Sequence, residues 1–146
     1  MKKLFLSFAI VFSLVCSAQK QSKKIVVPAN VKSAFEKDYP KTKAQWGAEN
    51  ADFEAEFSFN GKDASAVYDK NGHRKAFEID IEMNQIPANA LQYLKENYPK
   101  NKIVESAKIT DDKNIVTFEA EIKKDKKSFD VLFDANGKFL KIVEGY

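Results

Sequence analysis

The sequence predicts an α+β fold of two tandem helix-plus-four-strand repeats, with an antiparallel sheet and both helices packed on one face. Three observations predict it: a segment of the chain recurs after about sixty residues, each copy begins with a short amphipathic stretch, and the rest of each copy alternates apolar and polar residues. A helix of about ten residues is marginal in water by itself. The helices therefore require the sheet as a packing surface.

Two closely related segments establish the internal repeat. VPANVKSAFEKDYPK at residues 27–41 recurs as IPANALQYLKENYPK at residues 86–100, and further on FEAEF and YDKNG recur as FEAEI and FDANG. The second repeat has six more residues than the first between its helix motif and FEAEI. We assign these residues to a longer hairpin loop, ITDDKN. We therefore predict a linker at residues 19–26 and repeats at residues 27–85 and 86–146.

Residues 1–18 have the composition of a secretory signal. Two lysines precede an apolar run that ends at Val15 and is too short to span a membrane. Cleavage before Gln19 would leave an exported chain, periplasmic or secreted, without cysteine and held together by packing alone. Two alternatives remain: Cys16 as a lipid-anchored first residue, which the bulky Val15 disfavours, and an uncleaved signal anchor.

Each repeat begins with an amphipathic helix. The apolar stripes are Val31, Ala34 and Phe35 in the first repeat and Ala90, Leu91, Leu94 and Tyr98 in the second. A proline near the start of each suits the first helical turn. Each helix is predicted to end at a Tyr-Pro pair, because a proline moves the residue before it out of the helical region.

The remaining segments alternate with a period of two, as strands do. In the first repeat Phe53, Ala55, Phe57 and Phe59 face one way, while Glu54, Glu56 and Ser58 face the other. Phe118, Ala120 and Ile122 alternate in the same way with Glu119, Glu121 and Lys123. Further strands are predicted at residues 44–48, 64–68, 75–81, 103–109, 129–133 and 139–143. Trp46 is predicted to lie in the core with Ala44 and Ala48.

YDKNG and FDANG could begin a calcium loop, but the residues after them favour a hairpin turn. Ca²⁺ takes about six to eight oxygen ligands, and His73, Arg74 and Lys75 stand where the next ligands should be. In a turn, Asp accepts local hydrogen bonds, Asn tolerates a positive φ and Gly adopts the left-handed conformation. We therefore predict that Asp69 and Asp134 shape turns, and we predict no metal site.

No residue pattern specifies a reaction. His73, the single histidine, lies at a turn edge without an acidic residue at local spacing. The chain contains no nucleophile elbow, P-loop or His-Glu-x-x-His motif. Glu54 with Glu56, and Glu119 with Glu121, place carboxylates about 7 Å apart on a strand face, a spacing that glycosidases use but that any solvated strand also shows. We predict no catalytic residue and no cofactor.

The charge balance gives no argument for nucleic acid. The formal net charge is +3, and two of the lysines belong to the signal segment. The lysines neither gather on one helix nor interleave with stacking aromatics. We expect no nucleic-acid partner, and no membrane insertion after signal cleavage.

The order of the motifs resembles the beta-lactamase-inhibitor-like, PepSY-like domain family. PANVKSAFEKDYP is followed by Trp46, by Glu49 three residues later, and by FEAEF and YDKNG, and a degenerate copy follows. The resemblance covers about residues 27–146 and implies an exported, non-enzymatic protein that presents a sheet face and loops. Val104 or Glu105, depending on the gap, stands at the position that matches Trp46. No inhibitory residue can be carried over.

Two function classes fit these observations. One is a binding module, such as an inhibitor of a hydrolase or peptidase, that meets a protein or peptide of the cell envelope through the outer sheet face. The other is a passive envelope protein or small-ligand carrier with no dedicated protein partner. The repeat shift places apolar residues among the polar ones of the outer face, which indicates an interface unless a terminal segment or a register change covers them. The predicted partner-binding residues are Leu132, Phe139, Val143, Glu119, Glu121, Glu54 and Glu56.

Overall fold

A computed structural model describes residues 25–125 and 127–144, so the predicted signal at residues 1–18 lies outside the described residues. The elements are α1 (Ala29–Asp38), β1 (Gln45–Glu49), β2 (Asp52–Phe59), β3 (Lys62–Tyr68), β4 (Arg74–Asp80), a 3-10 turn (Met83–Gln85), α2 (Ala88–Asn97), β5 (Lys102–Asp111), β6 (Val116–Lys124), β7 (Lys127–Asp134) and β8 (Phe139–Glu144). A helix followed by four strands occurs twice. The predicted α+β architecture is confirmed.

The eight strands in the described part of the chain form one antiparallel sheet in chain order. The two repeats are joined by the pairing of β4 with β5, in which Ala76 lies opposite Asp111 and Asp80 opposite Ala107. Paired residues share a side of the sheet, and the residues that contact α1 and those that contact α2 lie on the same side. The opposite side, which we call the outer face, is therefore continuous across both repeats.

Aromatic packing holds the first repeat together. Phe35 of α1 is buried, and its ring centroid lies 5.1 Å from that of Phe57 and 5.5 Å from that of Trp46. Trp46 is half-buried against this core, as predicted, but Ala48 is exposed. The prediction for Ala48 is wrong because it lies near the end of β1, an edge strand with a neighbour on one side only.

Smaller residues form the second core. Ala90 and Leu94 of α2 are buried against Ile122, Val131 and Phe133 of the sheet. The helix ends at Asn97, and Tyr98 leaves the helical region with φ −130° and ψ 46°. Both predicted helix stripes are confirmed, and so is the end of each helix at a Tyr-Pro pair.

The DxNG strings are hairpin turns closed by their own aspartates. Asp69 Oδ1 accepts hydrogen bonds from the backbone N–H groups of Asn71 at 2.8 Å and His73 at 2.9 Å. Asp134 Oδ1 accepts the two corresponding bonds in the second repeat, both at 2.9 Å. The turn interpretation is therefore confirmed.

The same turns contact the start of each helix. Asn30 Nδ2 donates to the backbone oxygen of Lys70 at 2.9 Å, and Asn89 Nδ2 donates to that of Asn136 at 3.0 Å. Gly137 has φ +81°, and a Cβ atom at this position would lie 2.7 Å from the backbone nitrogen of Ala90. The recurrence of PAN and DxNG therefore reflects a packing contact within each repeat.

This contact gives a matched pair of glycine substitutions. Gly61 has φ +79° but nothing within 4 Å of an added Cβ, so Gly61→Ala should cost only the left-handed conformation, about 1 kcal/mol. Gly137→Ala adds the collision with α2 and should cost roughly 3 kcal/mol or more. Urea unfolding of both variants measures the difference. Equal losses would show that the turn does not press on the helix.

The prediction that Phe139 lies on the outer face is wrong. The register shifts between Leu132 and Phe133, so Leu132 pairs with Lys141 while Phe133 pairs with Phe139. The extra residue in β8 reverses the alternation, and this places Phe139 on the helix side, where its ring stacks on Tyr93 with centroids 5.0 Å apart. Leu132 and Val143 keep their predicted positions on the outer face.

The corrected register predicts different costs for two substitutions in β8. Phe139→Ala removes a stacked ring from the second core and should lower the free energy of unfolding by about 2 to 4 kcal/mol. Val143→Ala truncates an exposed side chain and should cost less than about 1 kcal/mol. Thermal and urea unfolding test this. A Phe139→Ala variant as stable as Val143→Ala would favour the register without the extra residue.

Candidate functional site

The outer face of the sheet lines a partly open cavity of about 400 Å³. Every strand contributes to its lining, including Glu49, Glu54, Val67, Glu78, Ile109, Glu119, Leu132 and Val143. A flat sheet of eight strands would measure roughly 33 Å across. The first and last strands can line the same cavity only because the sheet curls. The outer face is therefore concave, and we call this cavity and its lining the outer groove.

Five acidic side chains on this face are buried: Glu54, Glu78, Glu119, Glu121 and Asp130. The paired acids were interpreted above as a solvated strand face, and that interpretation is wrong because curling removes the concave side from water. Glu121 lies opposite Asp130 in the β6–β7 pair, so like charges are neighbours there. The outer face is therefore acidic, and these carboxyls are largely withdrawn from solvent.

Burial changes the ionisation of Glu54, Glu78 and Glu119. It is the main cause that raises the pKa of Glu54 to about 7, and the charge of Glu49 adds to it. Burial, followed by the charge of Asp130, raises the pKa of Glu119 to about 8. Glu78 also has a raised pKa, from burial first and then from Glu119. Near neutral pH the groove therefore retains protons that solvent-exposed carboxyls would have lost.

A second acidic cluster lies where the repeats meet. It borders a cavity of about 520 Å³ that is lined by Asp63, Asp80 and Glu105. Asp80 is hydrogen-bonded to the Glu105 carboxyl, and burial is the main cause that raises the pKa of Asp80 to about 6 and that of Glu105 to about 8. Lys62 Nζ donates to the backbone oxygen of Asp80 at 3.2 Å. Two carboxyls in such contact share a proton near neutral pH.

Apolar residues stand between the acids of the outer groove. Its walls include Val67, Ala76, Ile109, Leu132 and Val143. One cross-strand row runs from Asp80 through Ala107, Glu119 and Leu132 to Lys141. The groove therefore offers apolar contact area and buried charge together, a combination suited to binding.

The predicted site residues are brought together with one exception. Glu54, Glu119, Leu132 and Val143 line the groove. Glu56 and Glu121 lie on the same face, in register with Ser65 and Asp130 respectively, and Phe139 lies on the opposite face.

Two buried acids of the outer groove, Glu78 and Asp130, were not predicted as site residues. Asp130 lies directly opposite Glu121, and Glu78 lies opposite Ser65. Their period-two positions put them on the outer face, but burial depends on the curl of the sheet, which no local pattern encodes.

The groove does not present an arrangement for metal binding. Within residues 25–125 and 127–144, no group of three or more histidine, cysteine, aspartate or glutamate side chains is placed to hold a metal ion. His73 is exposed beside the Asp69 turn and is not among the lining residues. In the same described part of the chain, no helix has the length and apolar character needed to cross a membrane.

A family profile matches most of this chain. The profile of the family described as "Putative beta-lactamase-inhibitor-like, PepSY-like" matches residues 15–73 and 50–141. The chain belongs to this family. The resemblance inferred from the sequence motifs is therefore confirmed. A comparison with curated proteins gives no match.

Solved structures share the fold of this PepSY-like chain. A protein from Bacteroides eggerthii described as a putative periplasmic protein is 17% identical, with a TM-score of 0.72 over 82% of this chain and 90% of its own. A DUF2874 family protein from Bacteroides uniformis is 18% identical, with a TM-score of 0.71 over 82% and 90%. A BLIP-like protein from Bacteroides fragilis is 16% identical, with a TM-score of 0.63 over 84% and 89%. At this identity the likeness shows the fold.

The raised pKa values predict that the PepSY-like chain loses stability as pH rises. A carboxyl with a higher pKa in the folded than in the unfolded state holds more protons when folded, so stability falls between the two values. For Glu54 and Glu119 this window runs from 4.5, the ordinary value, to about 7 and about 8. The free energy of unfolding should be about 2 kcal/mol or more lower at about pH 8 than at about pH 5.

Urea unfolding at several pH values measures this slope. Glu119→Gln removes one buried acid and should flatten the slope and raise stability at high pH. Glu36→Gln, at an exposed position on α1, is the control and should leave the slope unchanged. Stability that is constant or rises over this window would contradict the assignment of buried, proton-holding carboxyls.

Proposed function

We propose that this PepSY-like chain is an exported, non-enzymatic binding protein that contacts a protein or peptide of the cell envelope through the outer groove. The observation that carries the proposal is the groove itself, a concave surface in which buried carboxyls alternate with apolar residues. A sheet needs no such buried acids for its stability, because uncompensated buried charge is costly. Residues that lie in a concave surface and lower the stability of the fold are typical of binding sites.

Export is supported by two independent observations. Residues 1–18 have the composition of a secretory signal. A structural relative with the same fold is described as a putative periplasmic protein. We therefore place the proposed partner in the periplasm or outside the cell.

The family supports inhibition as the form that the binding takes. Its description is beta-lactamase-inhibitor-like, and the Bacteroides fragilis relative is described as BLIP-like. A hydrolase or peptidase is accordingly the proposed class of partner. Fold alone does not carry function, so the proposal depends on the groove rather than on the family name.

The size of the groove supports a second candidate, a small-ligand carrier. A volume of about 400 Å³ is within the range of small-molecule sites, about 300 to 1,000 Å³. A carrier would bind a metabolite with all eight strands and would need no protein partner.

Two substitutions on one strand separate these candidates. Val143 lines the groove, whereas Ile142 pairs with Val131 on the helix side, and both side chains are exposed. Val143→Arg should therefore obstruct the groove without disturbing the core, and Ile142→Arg adds the same charge on the other face. The mature chain and both variants are used to capture partners from the cell envelope, and the captured proteins are identified by mass spectrometry.

We expect the wild type and Ile142→Arg to capture the same saturable partner, and Val143→Arg to lose it by roughly tenfold or more in affinity. Inhibition of beta-lactamase and peptidase activities in the same extract tests the proposed class. A partner retained by Val143→Arg would place the binding surface elsewhere. The absence of any saturable partner would favour the carrier.

A further inference from the structure

The outer groove contains two carboxylate oxygens that no described residue satisfies. Glu54 is 7% exposed, and its Oε1 atom is buried without a hydrogen-bond partner. The Oε2 atom of Glu49 is in the same situation. Both residues line the groove, and because Gly47 pairs with Glu54 and Glu49 with Asp52, the two glutamates occupy diagonal positions on one face of the β1–β2 pair. A buried acceptor without a partner destabilises the folded state, and a charged one does so more strongly.

The surrounding residues do not supply the missing donors. Ser65 is hydrogen-bonded to the Glu54 carboxyl, yet Glu54 Oε1 remains without a partner. Lys75 is the cation whose charge lowers the pKa of Glu49, but its Nζ atom forms an ion pair with Asp52 Oδ2. The position between Glu49 and Glu54 therefore favours an external donor that carries positive charge.

The geometry points to an organic cation rather than a metal ion. A hard divalent cation needs about six or more oxygen ligands, and the described residues contain no group of three acidic, histidine or cysteine side chains placed to hold one. A guanidinium group presents five N–H donors in one plane and can bridge two carboxylates. The apolar wall beside the acids, which includes Val67 and Ile109, would contact the methylene groups of an arginine side chain.

We infer that the groove recognises an arginine side chain of the partner, with its guanidinium held between Glu49 and Glu54. This inference rests on the proposed function and specifies the chemistry of its partner. The rim allows entry, since Ala48 and Asn50 on one side and Lys141 and Glu144 on the other are exposed. An arginine on a protruding loop or at a peptide terminus could therefore enter the groove from solvent. Pairing with it requires the buried Glu49 Oε2 and Glu54 Oε1 atoms to turn toward the groove opening.

A peptide titration tests the inference while the partner itself is unidentified. Two short peptides are compared, identical except that one carries arginine and the other citrulline, which has nearly the same shape but no charge. Backbone amide shifts of the mature chain are followed by NMR at about pH 8, where Glu54, with a pKa of about 7, is ionised. The arginine peptide should shift Gly47, Glu49, Glu54 and Ser65 saturably, with an affinity roughly tenfold or more above that of the citrulline peptide.

Three variants test whether Glu49 and Glu54 bind the arginine side chain. Glu54→Gln and Glu49→Gln should each weaken binding of the arginine peptide by roughly tenfold or more. Neither should lower the melting temperature at about pH 8, because each replaces an acid that has an unsatisfied buried oxygen by a neutral amide. Glu36→Gln on α1 makes the same change in net charge on the helix side and should bind like the wild type. A lysine peptide should bind more weakly than the arginine peptide, because an ammonium group lacks the planar set of N–H donors with which a guanidinium bridges two carboxylates.

Several results would overturn the inference. Equal affinity for the arginine and citrulline peptides would contradict it. Binding of the arginine peptide by Glu54→Gln with the affinity of the wild type would also contradict it. Calcium that shifts the same residues and competes with the peptide would assign the site to a metal ion instead. If the arginine peptide fails while Val143→Arg still abolishes partner capture, the inference is wrong and the proposed binding surface stands. If the peptide binds as expected but no partner is captured, the failure belongs to the proposed function alone.

Discussion

The pairing of β4 with β5 is the constraint on which the rest of this structure depends. Each repeat contains one helix and four strands, too small a unit to enclose a cavity with its own sheet. The β4–β5 ladder extends from Ala76 opposite Asp111 to Asp80 opposite Ala107, and it continues where the backbone N–H of Ile81 donates to the Ser106 oxygen at 2.9 Å. It converts two small sheets into one of eight strands. In this wider sheet the curl brings residues of both edge strands, β1 and β8, to the same groove.

The curl divides the sheet into two chemically different faces. The convex side packs against the helices through an aromatic core in the first repeat and a mainly aliphatic one in the second. The concave side collects buried carboxyls from β2, β4, β6 and β7. The helices and their contacts with the DxNG turns stabilise the fold. This stability offsets the unfavourable free energy of keeping those acids buried. Packing on the convex face thus stabilises a sheet whose concave face carries unfavourable buried acids. Functional surfaces commonly combine such unfavourable groups with a stable scaffold.

The local elements were predictable because each depends on short-range chemistry. The Tyr-Pro pairs end both helices, the Asp69 and Asp134 side chains close their turns, and the alternation in FEAEF and FEAEI sets the two faces of β2 and β6. Phe139 was not predictable from the same alternation. One extra residue in β8 reverses the period, and such a bulge leaves no mark in hydrophobicity because Leu140 and Phe139 are both apolar.

The sequence by itself determined the duplicated α+β architecture, the core faces of the helices and of β2 and β6, the turns and the set of acidic residues that share the outer face. All of these follow from backbone periodicity and turn chemistry. Only the tertiary structure decided that this face is concave and that Glu54, Glu78, Glu119 and Asp130 are buried in it. The physical reason is that twist and curl accumulate over eight paired strands. A residue's exposure then depends on strands that are distant in the chain, as between Glu54 and Val143, which lie in different repeats and line the same groove.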